Sequence, residues 1–494
     1  QNPINPGEDF QIIYRLLELG PRTDEFETDS YNLLAGLTGV FGDWDWELGA
    51  GMGKIDTSIT GVSGYTTQAD VEAAIASGDL DPLGDSPDFN PADITHKTQR
   101  DGESKLQLVD FKMTGEIVEM NHGALATAIG VEYRDEDFSE AFDPVTESGA
   151  ILTIGGVSAD GDRQVAAAYA EFSIPVLSNL ELQLAGRYDD YSDFGGTFNP
   201  KLGVRWLPRD NLLLRFNAGT GFKAPALHEL YSKEILSFES VFDPDSGDVV
   251  EAPTIANGNP DLDAEESDNY TLGLVWDGNP AWDLSLDYWR IDNENAVTNA
   301  AQFYINNEEL FPDSVIRGED GAIDVIFSEF QNVAAQKLWG LDLDTSVTWK
   351  SDSAGKFRFN IGATYLGSFE QEPVEGAGFE ELSGKDGFPE WRAQSTLVWH
   401  KADYEGSLKV NYVGGYDRRL EGREDDKIDS WTTVDARFSW SPGAIAGGTI
   451  TLGVQNLFDK EPPEDAFFEG WPFINRALHN PRGRFGYLSY KHEF

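Results

Sequence analysis

Apolar and polar residues alternate with period two through most of this chain. Leu180, Leu182, Leu184 and Gly186 interleave with Glu181, Gln183, Ala185 and Arg187. Leu212, Leu214, Phe216 and Ala218 interleave with Asn211, Leu213, Arg215 and Asn217. The same rhythm returns at Trp282–Tyr288, Leu341–Val347, Phe357–Ala363 and Val434–Trp440. Successive side chains of a strand point to opposite faces, so such a segment has one apolar and one wet face. The pattern predicts about 18 strands, near 9–18, 26–41, 44–58, 104–119, 122–140, 162–176, 180–194, 196–208, 211–224, 269–277, 281–291, 331–351, 355–370, 388–402, 404–418, 429–442, 447–459 and 483–494.

The connections separate a sandwich from a barrel. Tight reversals are expected at Gly42-Asp43, Asn121-His122-Gly123, Leu177-Ser178-Asn179, Pro208-Arg209-Asp210 and Gly278-Asn279-Pro280. They alternate with long connections near 59–103, 141–161, 225–268, 292–330, 371–387 and 460–482. Short turns at one rim and long loops at the other describe an outer-membrane barrel. Soluble domains seldom carry many loops this long. Trp206, Trp276, Trp282, Trp349 and Trp440 adjoin the short turns, and Tyr188, Tyr288 and Tyr365 close the other ends of the apolar stripes. Two aromatic belts around an apolar band fit a bilayer with its two interfaces. The fold class is therefore all-β, a transmembrane antiparallel β-barrel over 1–494.

Composition agrees once the barrel is in view. A formal charge of −51 and a mean hydropathy of −0.40 would suit a soluble or disordered acidic chain. The 13 Trp and 30 Phe are too much apolar surface for a solvated tail. No apolar run reaches transmembrane-helix length, but barrel strands need only about 10 alternating residues each. Cysteine is absent, which excludes disulfides and thiolate chemistry. The acidity excludes nucleic acid as a natural partner. In the long loops, Thr67-Gln-Ala-Asp70 predicts a short capped helix ended by Gly78. Asp243-Pro-Asp-Ser-Gly-Asp248 has carboxylates at calcium-like spacing, but its Gly and late Glu are misplaced for an EF-hand, so a solvated turn is expected. His228, His400 and His479 read as polar rim residues; no metal, cofactor or catalytic set emerges.

Several motifs resemble the TonB-dependent outer-membrane receptors. They are Gly186-Arg-Tyr-Asp-Asp-Tyr-Ser-Asp-Phe-Gly-Gly-Thr-Phe-Asn-Pro-Lys-Leu-Gly-Val-Arg-Trp206, Gly219-Thr-Gly-Phe-Lys-Ala-Pro225 with Glu229-Leu-Tyr231, Gly258-Asn-Pro-Asp-Leu262 and Asn456-Leu-Phe-Asp-Lys460. Gly130-Val-Glu-Tyr-Arg134 and Tyr169-Ala-Glu-Phe-Ser-Ile-Pro175 fit as well. The resemblance covers nearly the whole chain. Its motif residues Arg187, Asp189, Asn199, Pro200, Pro225, Asn259, Pro260, Asn456 and Phe458 read as structural, making turns and strand ends. The final strand ends on an aromatic, and Gly486, Leu488, Tyr490 and Phe494 share one face. In the resembled family this strand is the signal for the outer-membrane assembly machinery.

The resemblance implies a 22-stranded barrel, an N-terminal plug and a TonB-binding box. About 18 strands would leave the first strands and the plug outside this chain, which begins at Gln1 without Met. The resemblance also implies active uptake of a scarce nutrient such as a siderophore, vitamin or carbohydrate into the periplasm, without catalysis. Its implied partners are the TonB complex, the assembly machinery, outer-membrane lipid and lipopolysaccharide, and an unidentified small ligand. Its location is the outer membrane of a Gram-negative bacterium. A passive porin-type channel and a non-transporting surface binding protein are the alternatives.

Overall fold

The computed structural model describes residues 14–493 apart from 85, 87, 153, 157, 280, 300, 319–320, 373–377, 419–425, 444–446 and 466–472. One antiparallel sheet of 18 strands forms the wall. In chain order its long members are Thr23–Phe41, Trp44–Ser63, Thr98–Met120, Gly123–Phe142, Ala159–Leu177, Leu180–Tyr191, Gly195–Arg209 and Leu212–Lys223. Then follow Glu265–Asn279, Trp282–Thr298, Gln331–Ser351, Gly355–Glu372, Trp391–Lys401, Tyr404–Val413, Trp431–Trp440, Gly448–Gln455 and Phe485–His492. The remaining member is the two-residue Glu380–Glu381. Each long strand pairs with the long strands next to it in sequence. Among the described residues, the first and last strands have a ladder on one side only.

One predicted strand is corrected. Residues 9–13 of the expected 9–18 strand lie outside the described residues, and Leu17–Leu19 forms a 3-10 turn. The reason is tertiary: Leu19 packs with Ala74, Leu80 and Ile94 beneath the loop helix Gln68–Ser77. An apolar run this short fits a strand or a buried turn equally well. The helix itself forms as its sequence predicts. Thr67 Oγ1 accepts from the Asp70 amide, and Gly78 closes the helix at φ 84° in the left-handed region.

Register makes the apolar band continuous. Leu180 lies opposite Trp206, Trp206 opposite Leu214, Leu214 opposite Leu274, Leu274 opposite Leu286 and Leu286 opposite Leu343. Each such cross-strand pair contributes about 0.2–1 kcal/mol. The band is bounded as expected. Trp276 and Trp282 meet edge to face across a short turn, at 4.8 Å between centroids. At the other rim, Tyr288, Trp339, Tyr365 and Trp391 form a run of ring contacts. The early strands reach 23 residues, twice what a membrane crossing requires. Their outer halves carry charge on the band's own face, where Lys54 bridges Asp56 at 2.8 Å and Glu103 at 2.7 Å. Those halves stand clear of the hydrocarbon.

The two faces should differ sharply in tolerance. Leu184 is exposed on the apolar face between Phe172 and Leu202. Gln183 points the other way and donates to the Glu171 carboxylate. Leu184→Arg should cost about 2–4 kcal/mol near the bilayer centre, whereas Gln183→Arg keeps a partner in Glu171 and should cost far less. Refolding titrations into lipid vesicles measure both; equal losses would contradict the assigned faces.

Candidate functional site

The wet face of the wall gathers charge toward the long-loop rim. Glu132, Arg134 and Glu136 alternate along one strand, and Arg134 contacts both carboxylates at 2.8 and 2.7 Å. Arg163, across the ladder, bonds Glu136 at 2.6 Å. Arg187 holds the buried Asp189 at 2.8 Å and reaches Glu132 at 3.4 Å. Tyr191 accepts a hydrogen bond from Arg134 at 2.8 Å, and the Arg134 and Arg163 guanidiniums both lie over its ring. Arg163 also donates to the carbonyl of Pro225 at 2.8 Å, which ties the network to the root of the following loop.

Three motif residues, Arg187, Asp189 and Pro225, therefore meet in one network. Others lie elsewhere. Asn199 accepts from Thr220 at 3.1 Å, and Pro200 stands opposite Gly186 on the exposed face. Asn456 sits at φ 48°, bonds the Lys460 backbone twice and donates its backbone amide to the Asp435 carboxylate, while Phe458 is exposed. Gly486, Leu488 and Tyr490 lie along the last strand, and Phe494 lies outside the described residues. Glu132 and Arg134 stood in the sequence only within the motif Gly130–Arg134, and Glu136 and Arg163 were not singled out. The signal for Glu136 was available as charge at alternate positions of one strand face, with Glu132 and Arg134; Arg163 joins them only across the ladder, which no local pattern shows.

Two long loops fold together. Strands Ile235–Asp243 and Asp248–Asn257 come from one loop; Val315–Arg317, Ile323–Glu329 and the helix Ala301–Asn306 come from the next. They form a four-stranded sheet in which Asp248–Asn257 runs parallel to Ile323–Glu329. Its core is Val241, Ala252, Ala301, Tyr304, Ile305, Val315 and Ile326. Asn259 and the following Pro260 begin the return to the wall, and Asn259 bridges the loops by donating to the Phe330 carbonyl at 2.8 Å. The acidic turn Asp243–Asp248 is not simply solvated. Asp243 is buried and takes Arg317 at 2.9 Å, while Glu308 binds the same guanidinium. Burial pushes the Asp243 carboxyl up, but the Arg317 guanidinium and the Ser246 hydroxyl outweigh it and hold the pKa below the usual range. Among the described residues no group of His, Asp and Glu has a metal-binding arrangement.

The last loop closes on a buried cation. Arg418 makes two hydrogen bonds to Asp465, at 2.6 and 3.0 Å, and Tyr416 donates to the same carboxylate at 2.7 Å. His479 is not the rim residue expected; it is 3 % exposed, edge-on to Trp431. The fold of this loop brings it in, a contact between distant segments that local sequence does not show. His228 and His400 are exposed. Neither ring nitrogen of His479 has a hydrogen-bond partner among the described residues. Burial lowers its pKa, with Asp465 opposing and Arg392 adding to the shift.

An antiparallel wall with an apolar belt outside, charge inside and folded loops at one rim is a transmembrane outer-membrane barrel. The family model described as "TonB dependent receptor-like, beta-barrel" matches residues 4–457, and the chain belongs to that family. It is 24% identical over 357 residues to the ferrienterobactin receptor of Escherichia coli K12, covering 67% of this chain and 42% of that protein. It is 24% identical over 390 residues to the ferric enterobactin receptor of Pseudomonas aeruginosa, covering 72% and 46%. The crystal structure of the siderophore receptor PirA from Acinetobacter baumannii superposes with a TM-score of 0.64 at 18% identity, covering 96% of this chain and 63% of PirA. The chain thus spans less than half the length of these curated relatives. The long loops face outward and the short turns face the periplasm.

Two outcomes follow. Arg317→Met strands a buried carboxylate, which costs on the order of 3–5 kcal/mol; limited proteolysis should cut 224–264 and 299–330 faster while the barrel stays heat-modifiable. The His479 pKa is depressed in the fold, so its stabilising effect is complete above the unfolded value near 6.5 and declines as pH falls below it. The protection factor over 474–484, hydrogen exchange taken relative to the intrinsic rate at each pH, should therefore fall between pH 7.5 and pH 5, and His479→Phe should abolish that fall.

Proposed function

We propose that this chain is the barrel, over 1–494, of a receptor for TonB-energised uptake of a scarce nutrient, with a ferric chelate as the ligand class. The observation that carries this reading is the loop body built from 224–264 and 299–330 and rooted through Pro225 on the charged wet face. Such a rooted body offers a defined binding surface at the outer rim, which short turns could not. The ligand class rests on the names of the relatives. The formal charge of −51 favours a chelate that is not itself strongly anionic.

The barrel's part is to hold these loops and to enclose a plug domain. A TonB complex would act on the plug; the chain itself would perform no catalysis. Outer-membrane lipid and lipopolysaccharide surround the wall. Gly486, Leu488 and Tyr490, with Phe494 beyond them, would present the last strand to the assembly machinery.

The test is deletion of most of 225–268, or of 292–330, in the full-length protein. Each variant should assemble as a heat-modifiable barrel and lose high-affinity binding of ferric chelates, measured by quenching of intrinsic fluorescence. Unchanged affinity in both would move the site away from these loops. Loss of binding without loss of iron-limited growth would argue against uptake as the role.

A further inference from the structure

The outward face of four late strands carries a groove that the apolar band alone does not require. Trp399, Gly406, Phe438 and Leu452 stand opposite one another across the ladders. In the adjacent row stand Leu397, Leu408, Ala436 and Val454. The two smallest of these residues, Gly406 and Ala436, lie diagonally to each other. Where they sit the wall is indented, leaving a groove of about 380 Å³ lined by both rows. Its sides are fixed. The Trp399 indole donates to the Ala354 carbonyl at 2.6 Å, and Phe438 stacks on Tyr404 with 5.9 Å between centroids.

The end nearest the periplasmic turns is polar. One ladder step beyond the groove, Lys401, Tyr404 and Trp440 lie in a row. Lys401 falls on the same outward face as Trp399 and Leu397. Its ammonium donates to the Ser353 carbonyl at 2.6 Å, which holds it at the rim with further protons to offer. Asp403 follows in the turn. The sequence of features is apolar groove, aromatic belt, cation and then anion, running from hydrocarbon to headgroup depth.

We propose that this groove is a binding site for one glycerophospholipid of the periplasmic leaflet. An acyl chain lies between Trp399 and Phe438, the phosphate meets Lys401, and a headgroup ammonium meets Asp403. The occupant is set by position. The groove is continuous with the lipid-facing band and opens at the short-turn rim, where lipopolysaccharide of the outer leaflet does not reach. A chain in the groove gains contacts on three sides where a neighbour on the smooth wall gains them on one.

The test uses the full-length protein in phosphatidylethanolamine vesicles containing a trace of phosphatidylethanolamine with a photoactivatable acyl chain. Adducts mapped by peptide mass spectrometry should concentrate on 397–408 and 436–454, about tenfold over the lipid-facing strands at 180–188 and 282–288, which corresponds to one decade of relative affinity. Gly406→Leu and Ala436→Leu should each remove that excess. Lys401→Gln should reduce it and Lys401→Arg restore it, a contrast that a packing defect would not produce. Lys401 is at the rim, so this pair reads the site even if a groove-filling variant fails to assemble. Even labelling of the whole apolar band would overturn the proposal. So would unchanged labelling in an assembled Gly406→Leu barrel, or displacement of the probe by lipopolysaccharide but not by phosphatidylethanolamine.

Discussion

Backbone hydrogen bonding is the constraint on which everything else in this molecule rests. In hydrocarbon an unpaired amide or carbonyl costs several kcal/mol, so a chain that crosses the bilayer without long apolar helices must satisfy each strand from its neighbours. The described residues contain no helix long and apolar enough to span a membrane. They contain ladders that follow one another strand to strand around the wall. The side-chain pattern follows from that ladder. Once the backbone is paired, each strand needs one apolar face for lipid and is free to be polar on the other. That freedom is why a chain of mean hydropathy −0.40 can cross a membrane many times.

The acidity creates a second problem, solved locally. With 87 acidic and 36 basic residues, most carboxylates have no cation to themselves. The folded parts of the loops use single guanidiniums to gather several acids. Arg317 serves Asp243 and Glu308 from two loops; Arg418 serves Asp465 and lies 3.8 Å from Asp386. Elsewhere hydrogen bonds do the work without a strong cation. Asp143 caps the turn Pro144–Glu147 and accepts from the Gln99 amide. Burial raises its carboxyl, but the Thr146 hydroxyl, the two amides and His96 hold it at about 2. The loops are thus ordered by a few buried polar contacts, which makes them adjustable independently of the wall.

The wall was legible in the sequence because its code is local. Leu180–Gly186 and Val434–Trp440 state their faces within seven residues, and the short turns follow directly. The helix at Gln68–Ser77 was equally local, written in Thr67, Asp70 and Gly78. What was not legible depended on contacts between distant segments. Leu19 looked like part of a strand, and its place in a turn is decided by Ala74, Leu80 and Ile94. The loop sheet was hidden because Asp248–Asn257 and Ile323–Glu329 pair in parallel from separate loops, with no turn between them to announce the partnership. His479 looked polar and peripheral, and its burial is decided by Trp431, far back in the chain.

The candidate site divides along the same line. Arg187 and Asp189 were visible because they are two residues apart on one strand face, and that spacing alone brings them together. Pro225 joins them only because Arg163, on another strand, reaches its carbonyl. Local alternation therefore specifies the half of the mouth that belongs to the wall, and long-range closure specifies the half that belongs to the loops. A receptor benefits from that separation. The wall must keep its ladders and its lipid face whatever the ligand, so its sequence is bound to a repeating rule. The loop body stands on the ion cluster around Arg317 and a small core, so residues there can change the loop surface without altering any strand that crosses the membrane.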